Sequence, residues 1–226
     1  MAVPATSGAA ALAAPPQLEF SVERAYPVRY AAVPTLGFEL RLERTGGGPV
    51  RSVALNTQLR IAATQRSYGA GERERLLEVF GHPEQWSTTV RSLLWTHAAA
   101  QVPAFEGSTV CELAVPCTYD FEVTAAKYLN SLDDGEIPLE LLFSGAVFYA
   151  DPDGRLQVAS IAWDREAHYR LPVSVWRETM DSHFRGTAWL RLRRETFDRL
   201  YAFKARNALA SWEDAVEALL TEAARE

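Results

Sequence analysis

The 226-residue sequence predicts an α+β fold, an antiparallel β-sheet of long amphipathic strands backed by C-terminal helices, and three observations predict it. Apolar and polar residues alternate with period two through several long segments, as they do in half-buried strands. Breaks rich in Gly, Pro and Asp separate those segments at the spacing of hairpins. Helical periodicity is concentrated in the last third of the chain, so the helices are expected to cover one face of the sheet.

The segment 1–16 is rich in Ala and Pro and holds no basic residue, so it lacks the charged region of a secretory signal and reads as a disordered tail. One domain is expected over 17–226. Its first strand carries Leu18, Phe20 and Val22 against Glu19 and Ser21, and a second carries Phe38, Leu40 and Leu42 against Glu39, Arg41 and Glu43. After the Gly46 to Pro49 break, Val53, Leu55, Leu59 and Ile61 share one face of a third strand, with Asn56, Gln58 and Arg60 on the other. A short surface helix follows from Gly71 to Gly81, and its Glu72 to Arg75 run reads as a solvated face. The stretch 66–108 otherwise gives no clear period.

The longest alternation runs over 109–124. Cys111, Leu113, Val115, Cys117, Tyr119, Phe121 and Val123 occupy its odd positions, and Pro116 marks a bend. Cys111 and Cys117 are expected to be buried and unpaired, because six residues of extended chain hold them ~20 Å apart. Asp133-Asp134-Gly135-Glu136 reads as a hairpin turn into a returning strand over 139–149 that is apolar on both faces. Leu139, Leu141, Phe143 and Val147 lie on one face, and Leu142, Ala146 and Phe148 on the other. If helices cover the first face, Leu142 and Phe148 remain as candidate protein-contact residues, for a partner or for a second copy in a homo-oligomer. Asp151-Pro152-Asp153-Gly154 closes the next hairpin, leading to a strand from Leu156 to Trp163. Pro172 then opens a helix with Val175, Trp176, Thr179, Met180 and Phe184 on one stripe. A strand-like piece runs from Trp189 to Arg193, a helix carries Phe197, Leu200, Tyr201 and Phe203, and Ser211 with Asp214 forms a capping box for the last helix.

Composition excludes several functions. A formal charge of -6 argues against nucleic acid or an anionic membrane as main partner. No apolar run approaches the ~20 residues of a membrane span, and a cytoplasmic protein is expected. His82, His97, His168 and His183 are too scattered for a zinc site, and no nucleotide-binding or hydrolase motif appears, so no cofactor, metal or catalytic residue is assigned. Asp120 and Glu122 share a strand face, and the simpler account is that both face water.

The segment Val115-Pro116-Cys117-Thr118-Tyr119-Asp120-Phe121-Glu122-Val123, continued by Ala126-Lys127-Tyr128, by Asp133 to Pro138 and by Leu142-Phe143-Ser144-Gly145, resembles a bacterial, mainly actinobacterial, family of unknown function. That family accompanies gene clusters for uptake nickel–iron hydrogenases. A weaker resemblance links Arg185-Gly186-Thr187, Leu190, Leu192, Phe197-Asp198 and Leu200-Tyr201 to the export chaperone SecB. It implies a SecB-like four-stranded antiparallel sheet backed by helices. The doubly apolar strand 139–149, in a chain without catalytic signals, leads to the expectation of a non-catalytic accessory protein, chaperone-like or scaffold-like, that binds another polypeptide. The first resemblance implies a hydrogenase subunit or maturation factor as a candidate partner. The alternative is a small-molecule-binding protein or an enzyme whose site gathers Asp120, Glu122, His97 and His168 from across the chain.

Overall fold

The computed structural model describes residues 14–225 except 119, 121, 122, 185, 188 and 189. Where the sequence reads as one domain, these residues fall into two compact units divided after residue 188. Of the tail expected over 1–16, residues 1–13 lie outside the described residues.

The first unit holds, in chain order, β1 (Leu18–Pro27), β2 (Thr35–Arg44), β3 (Val50–Ile61), α1 (Ala70–Arg75), α2 (Leu77–Phe80), α3 (Trp86–Thr89), β4 (Leu93–Val102), β5 (Ser108–Pro116), α4 (Thr124–Asn130), β6 (Glu136–Ala150), β7 (Leu156–Ser160), β8 (Glu166–Pro172) and α5 (Val173–Asp181). The strands form two open antiparallel sheets. One runs β1-β2-β5. The other runs β4-β3-β6-β7, with β8 also on β6. β6 is the spine of the larger sheet, pairing β7 over residues 146–150 and β8 over 136–142 on the same edge.

Period-two alternation decides what each strand buries. Leu36, Phe38, Leu40 and Leu42 of β2 are fully buried, as are Leu113 and Val115 of β5. Val53, Leu55, Leu59, Leu139, Leu141, Phe143 and Val147 turn inward from the larger sheet and join the same core. Phe20 stacks on Phe143 with ring centroids 4.2 Å apart, and Phe38 meets Tyr169 edge to face at 6.1 Å. The face of β6 expected under helices is therefore met largely by a second sheet. Of the helices in the last third, α5 joins this core through Val173, Trp176 and Met180. The SecB resemblance implied four strands backed by helices; here five strands face three others.

The strand expected over 109–124 stops at Pro116, which lies opposite Thr35 at the end of the β2–β5 ladder. Proline has no N–H to extend a ladder, and the Cys117 N–H instead donates to Pro34 O at 2.7 Å. Tyr119, Phe121 and Glu122, placed on that strand by the sequence, lie outside the described residues. From Thr124 the period turns helical, and α4 buries Ala125, Ala126, Tyr128 and Leu129. The Asp133 to Glu136 turn thus joins a helix to a strand. Both cysteines are free. Cys117 is buried, whereas Cys111 is half-buried, since β5 is an edge strand.

The second unit is a helical hairpin, α6 (Arg194–Arg206) and α7 (Trp212–Ala223). Trp212 packs on Phe197 at 5.1 Å and Tyr201 at 6.0 Å, and Lys204 lies over its ring. The capping box forms as expected: Ser211 Oγ accepts from the Asp214 N–H and the Asp214 carboxylate from the Ser211 N–H, both at 2.9 Å. Residues 190–193 form no regular element, and Trp189 lies outside the described residues. Among the described residues no helix is long and apolar enough to cross a membrane.

Candidate protein-binding face

The outer face of the larger sheet is built by the side chains that alternation turns away from the core. β6 presents Glu140, Leu142, Ser144, Ala146 and Phe148 there. Cross-strand register sets Leu142 between Gln58 of β3 and Glu166 of β8, and Phe148 between Ser52 of β3 and Val158 of β7. Both candidate contact residues are half-buried on one face. Their surroundings differ: Leu142 is ringed by polar neighbours, while Phe148 heads an apolar patch with Val158, 58% exposed, and Leu156, 64% exposed. Further along the same edge, in the connection from β7 to β8, Trp163 stands 95% exposed.

Gly145 lets β6 run through this face unbroken. Its φ is +133°, and a Cβ there would come within 2.0 Å of Ala54 O on β3. Only glycine tolerates that backbone and that approach.

Of the residues that the sequence offered as a dispersed catalytic set, His97 and His168 do not converge. His97 lies on β4 with its ring against Gln58. His168 lies on β8 opposite Glu140. Three strand spacings separate β4 from β8, about 14 Å at ~4.8 Å each. Asp120 stands in the loop before α4, its N–H donating to Thr118 Oγ1, and Glu122 lies outside the described residues. Among the described residues no three of His, Cys, Asp and Glu are gathered as a metal ion would need.

The stretch 66–108, in which the sequence placed only the helix from Gly71 to Gly81, contributes Arg66, Tyr68 and Glu72 to a buried polar cluster. Glu72 was read as part of a solvated face, but it is buried, while Arg73, Glu74 and Arg75 are exposed. Its carboxylate accepts from Arg66 Nη2 at 2.6 Å and from the N–H groups of Asp133 at 2.9 Å and Gly69 at 3.0 Å. Arg66 also donates to the carbonyls of Asp134 and Glu136, each at 2.7 Å. Burial pushes the Glu72 carboxyl upward, but those N–H groups and the guanidinium outweigh it and hold it below its ordinary value. Beside it, Tyr68 and Tyr128 share a hydroxyl hydrogen bond of 2.9 Å, and burial raises both phenols. The bonds of Arg66 and Glu72 fasten α1 to the turn before β6, and the cluster works as a staple.

A family model described as "Family of unknown function (DUF6084)" matches residues 15–226. The chain belongs to the DUF6084 family. The match begins where the Ala- and Pro-rich segment ends and spans both units. No curated protein matches the chain. Among solved structures, the chain is similar to the CARDB domain of the PF1109 protein from Pyrococcus furiosus, crystallised with di-metal ions. Identity is 10%, coverage is 70% of this chain and 92% of that one, and the TM-score is 0.28. It is also similar to the putative ApaA protein from Bordetella pertussis, at 14% identity, 70% and 94% coverage and a TM-score of 0.25. Neither superposes well enough to bear on the fold or ligand of this chain.

Proposed function

We propose that this chain is a non-catalytic accessory protein of the bacterial cytoplasm that binds another polypeptide, in a chaperone-like or scaffold-like role. Assembly or maturation of a nickel–iron hydrogenase is the setting. The observation that carries the binding reading is the edge of the larger sheet, where Leu156 and Val158 are exposed beside half-buried Phe148 and Trp163 is exposed further along. Tryptophan is prominent among the residues that dominate interface energies, and apolar groups clustered on a sheet edge suit an extended partner segment added as a further strand. The hydrogenase setting rests on the resemblance carried by segment 115–145 to a family found in actinobacterial hydrogenase gene clusters.

The test is affinity purification of the tagged chain from a bacterium that makes a nickel–iron hydrogenase, beside a Phe148→Asp/Trp163→Ala variant. Recovery of a hydrogenase subunit or maturation factor by the unaltered chain, and its loss in the variant, is the expected result. Recovery of none above background sinks the hydrogenase setting, and recovery undiminished in the variant sinks the proposed face. A second copy is the alternative occupant, and light scattering separates the two: a self-associated chain falls to smaller mass on Phe148→Asp.

A further inference from the structure

A cleft of about 150 Å³ opens at one end of the two-sheet unit, away from the face that carries Phe148. Its walls are the indoles of Trp95 and Trp176, its floor the small side chains Ala125 and Ala126 of α4, and its polar side chains are the hydroxyls of Thr96 and Thr118. No charged side chain lines it among the described residues. Two features separate it from a packing defect. The β3–β4 ladder slips between Leu59 and Arg60, whose partners are Thr96 and Leu94, so Trp95 is the extra residue of a β-bulge. Bulges re-aim side chains and are frequent beside binding sites, and this one brings the consecutive residues Trp95 and Thr96 to the cleft. The indoles are also held in place beforehand: Trp95 meets Phe38 edge to face at 6.4 Å and Trp176 at 6.1 Å, and Trp176 is 2% exposed.

Filled to the ~0.75 density of protein interiors, the cleft takes roughly 110 Å³ of atoms, one ring with a short substituent. An apolar cavity of about this size accepts benzene. A charged ligand would lose its hydration there without a counter-charge. We propose that the Trp95–Trp176 cleft binds an uncharged aromatic ring, either a free small molecule or a side chain presented by a polypeptide.

The test follows 4-fluorotoluene by ¹⁹F NMR in the presence of the full chain, with 4-fluorobenzoate as the charged control. The neutral probe is expected to broaden and the anion to stay sharp, with toluene displacing the probe. Ala126→Leu, which fills the floor, should weaken binding at least about tenfold, a loss near 1.4 kcal/mol. Ala126 is buried, so Thr96→Leu at the cleft wall serves as the second variant if the first unfolds. A capped Ala-Phe-Ala peptide that outcompetes toluene assigns the ring to a polypeptide, and the reverse order assigns it to a free molecule. The proposal is overturned if the unaltered chain does not broaden the probe, if folded variants bind it undiminished, or if binding appears only after Tyr119 or Phe121 is replaced by alanine.

Discussion

Glu72→Ala should be the most destabilising single change in the stretch 66–108. The substitution leaves the Arg66 guanidinium, 9% exposed as a side chain, without its counter-charge, and strips the N–H groups of Gly69 and Asp133 of their acceptor. Breaking a buried ion pair from one side costs about 3–5 kcal/mol, mostly the desolvation of the charge left behind. Against a typical total of about 5–15 kcal/mol, the urea midpoint should fall by roughly 1–2 M, taking a slope near 2–3 kcal/mol per M. Tryptophan emission and far-UV circular dichroism are the readouts. Arg66→Met alone should also destabilise, and the double variant Arg66→Met/Glu72→Met should lose less than the two single methionine variants together, because neither charge is stranded. Glu72→Gln keeps the shape and removes the charge. Since the folded carboxyl titrates below its ordinary 4.5, its contribution is present above that pH and is lost as pH falls through the folded value. The gap between Glu72→Gln and the unaltered chain should therefore be widest near neutrality and close in acid. A midpoint shift under about 0.3 M for Glu72→Ala, or strict additivity in the double variant, would refute the staple.

Three further outcomes are expected. Gly145→Ala drives a Cβ into the Ala54 carbonyl at a positive φ and should cost about 2–4 kcal/mol, read by the same denaturation curves. Cys117, buried and pushed up to about 12 by that burial, should resist a thiol reagent at pH 8 in the native chain, while half-buried Cys111 reacts at an intermediate rate and both react at once in denaturant. Ser211→Ala removes the acceptor for the Asp214 N–H and should cost the α7 end about 1 kcal/mol, seen as faster amide exchange in its first turn while β3 amides stay protected.

Strand by strand, alternation made β1, β2 and β3 legible, and turn chemistry marked the hairpin before β7, where the Gly154 N–H donates to Asp151 O at 2.9 Å. Partnership was not legible. Nothing local to Phe20 or Phe143 says that their rings stack across two sheets. β8 went unread because its inward Ala167, Tyr169 and Leu171 sit among charged neighbours with no turn signal. Glu72 looked solvated for a similar reason, since its guanidinium is six residues upstream and its amide donors come from Gly69 and Asp133. Of the candidate site, Leu142 and Phe148 were readable from a strand apolar on both faces. The neighbours that distinguish them, Val158 and Glu166, follow from register alone. The Trp95–Trp176 cleft could not be found at all, because its walls come from four elements spread over 80 residues.

Strand order also sets a timetable for synthesis. β3 lies in the middle of its sheet, yet the strand that closes its longer flank, β6, ends roughly 90 residues after β3 does. At ~5–20 residues per second, a ribosome leaves Val53, Leu55 and Leu59 without that neighbour for about 5–20 s. During this interval the nascent chain offers an unpaired strand edge and an uncovered apolar row, the combination most prone to capture by a neighbouring nascent chain. Slowed translation across β6 should lengthen the exposure, and faster translation over the stretch between β3 and β6 should shorten it.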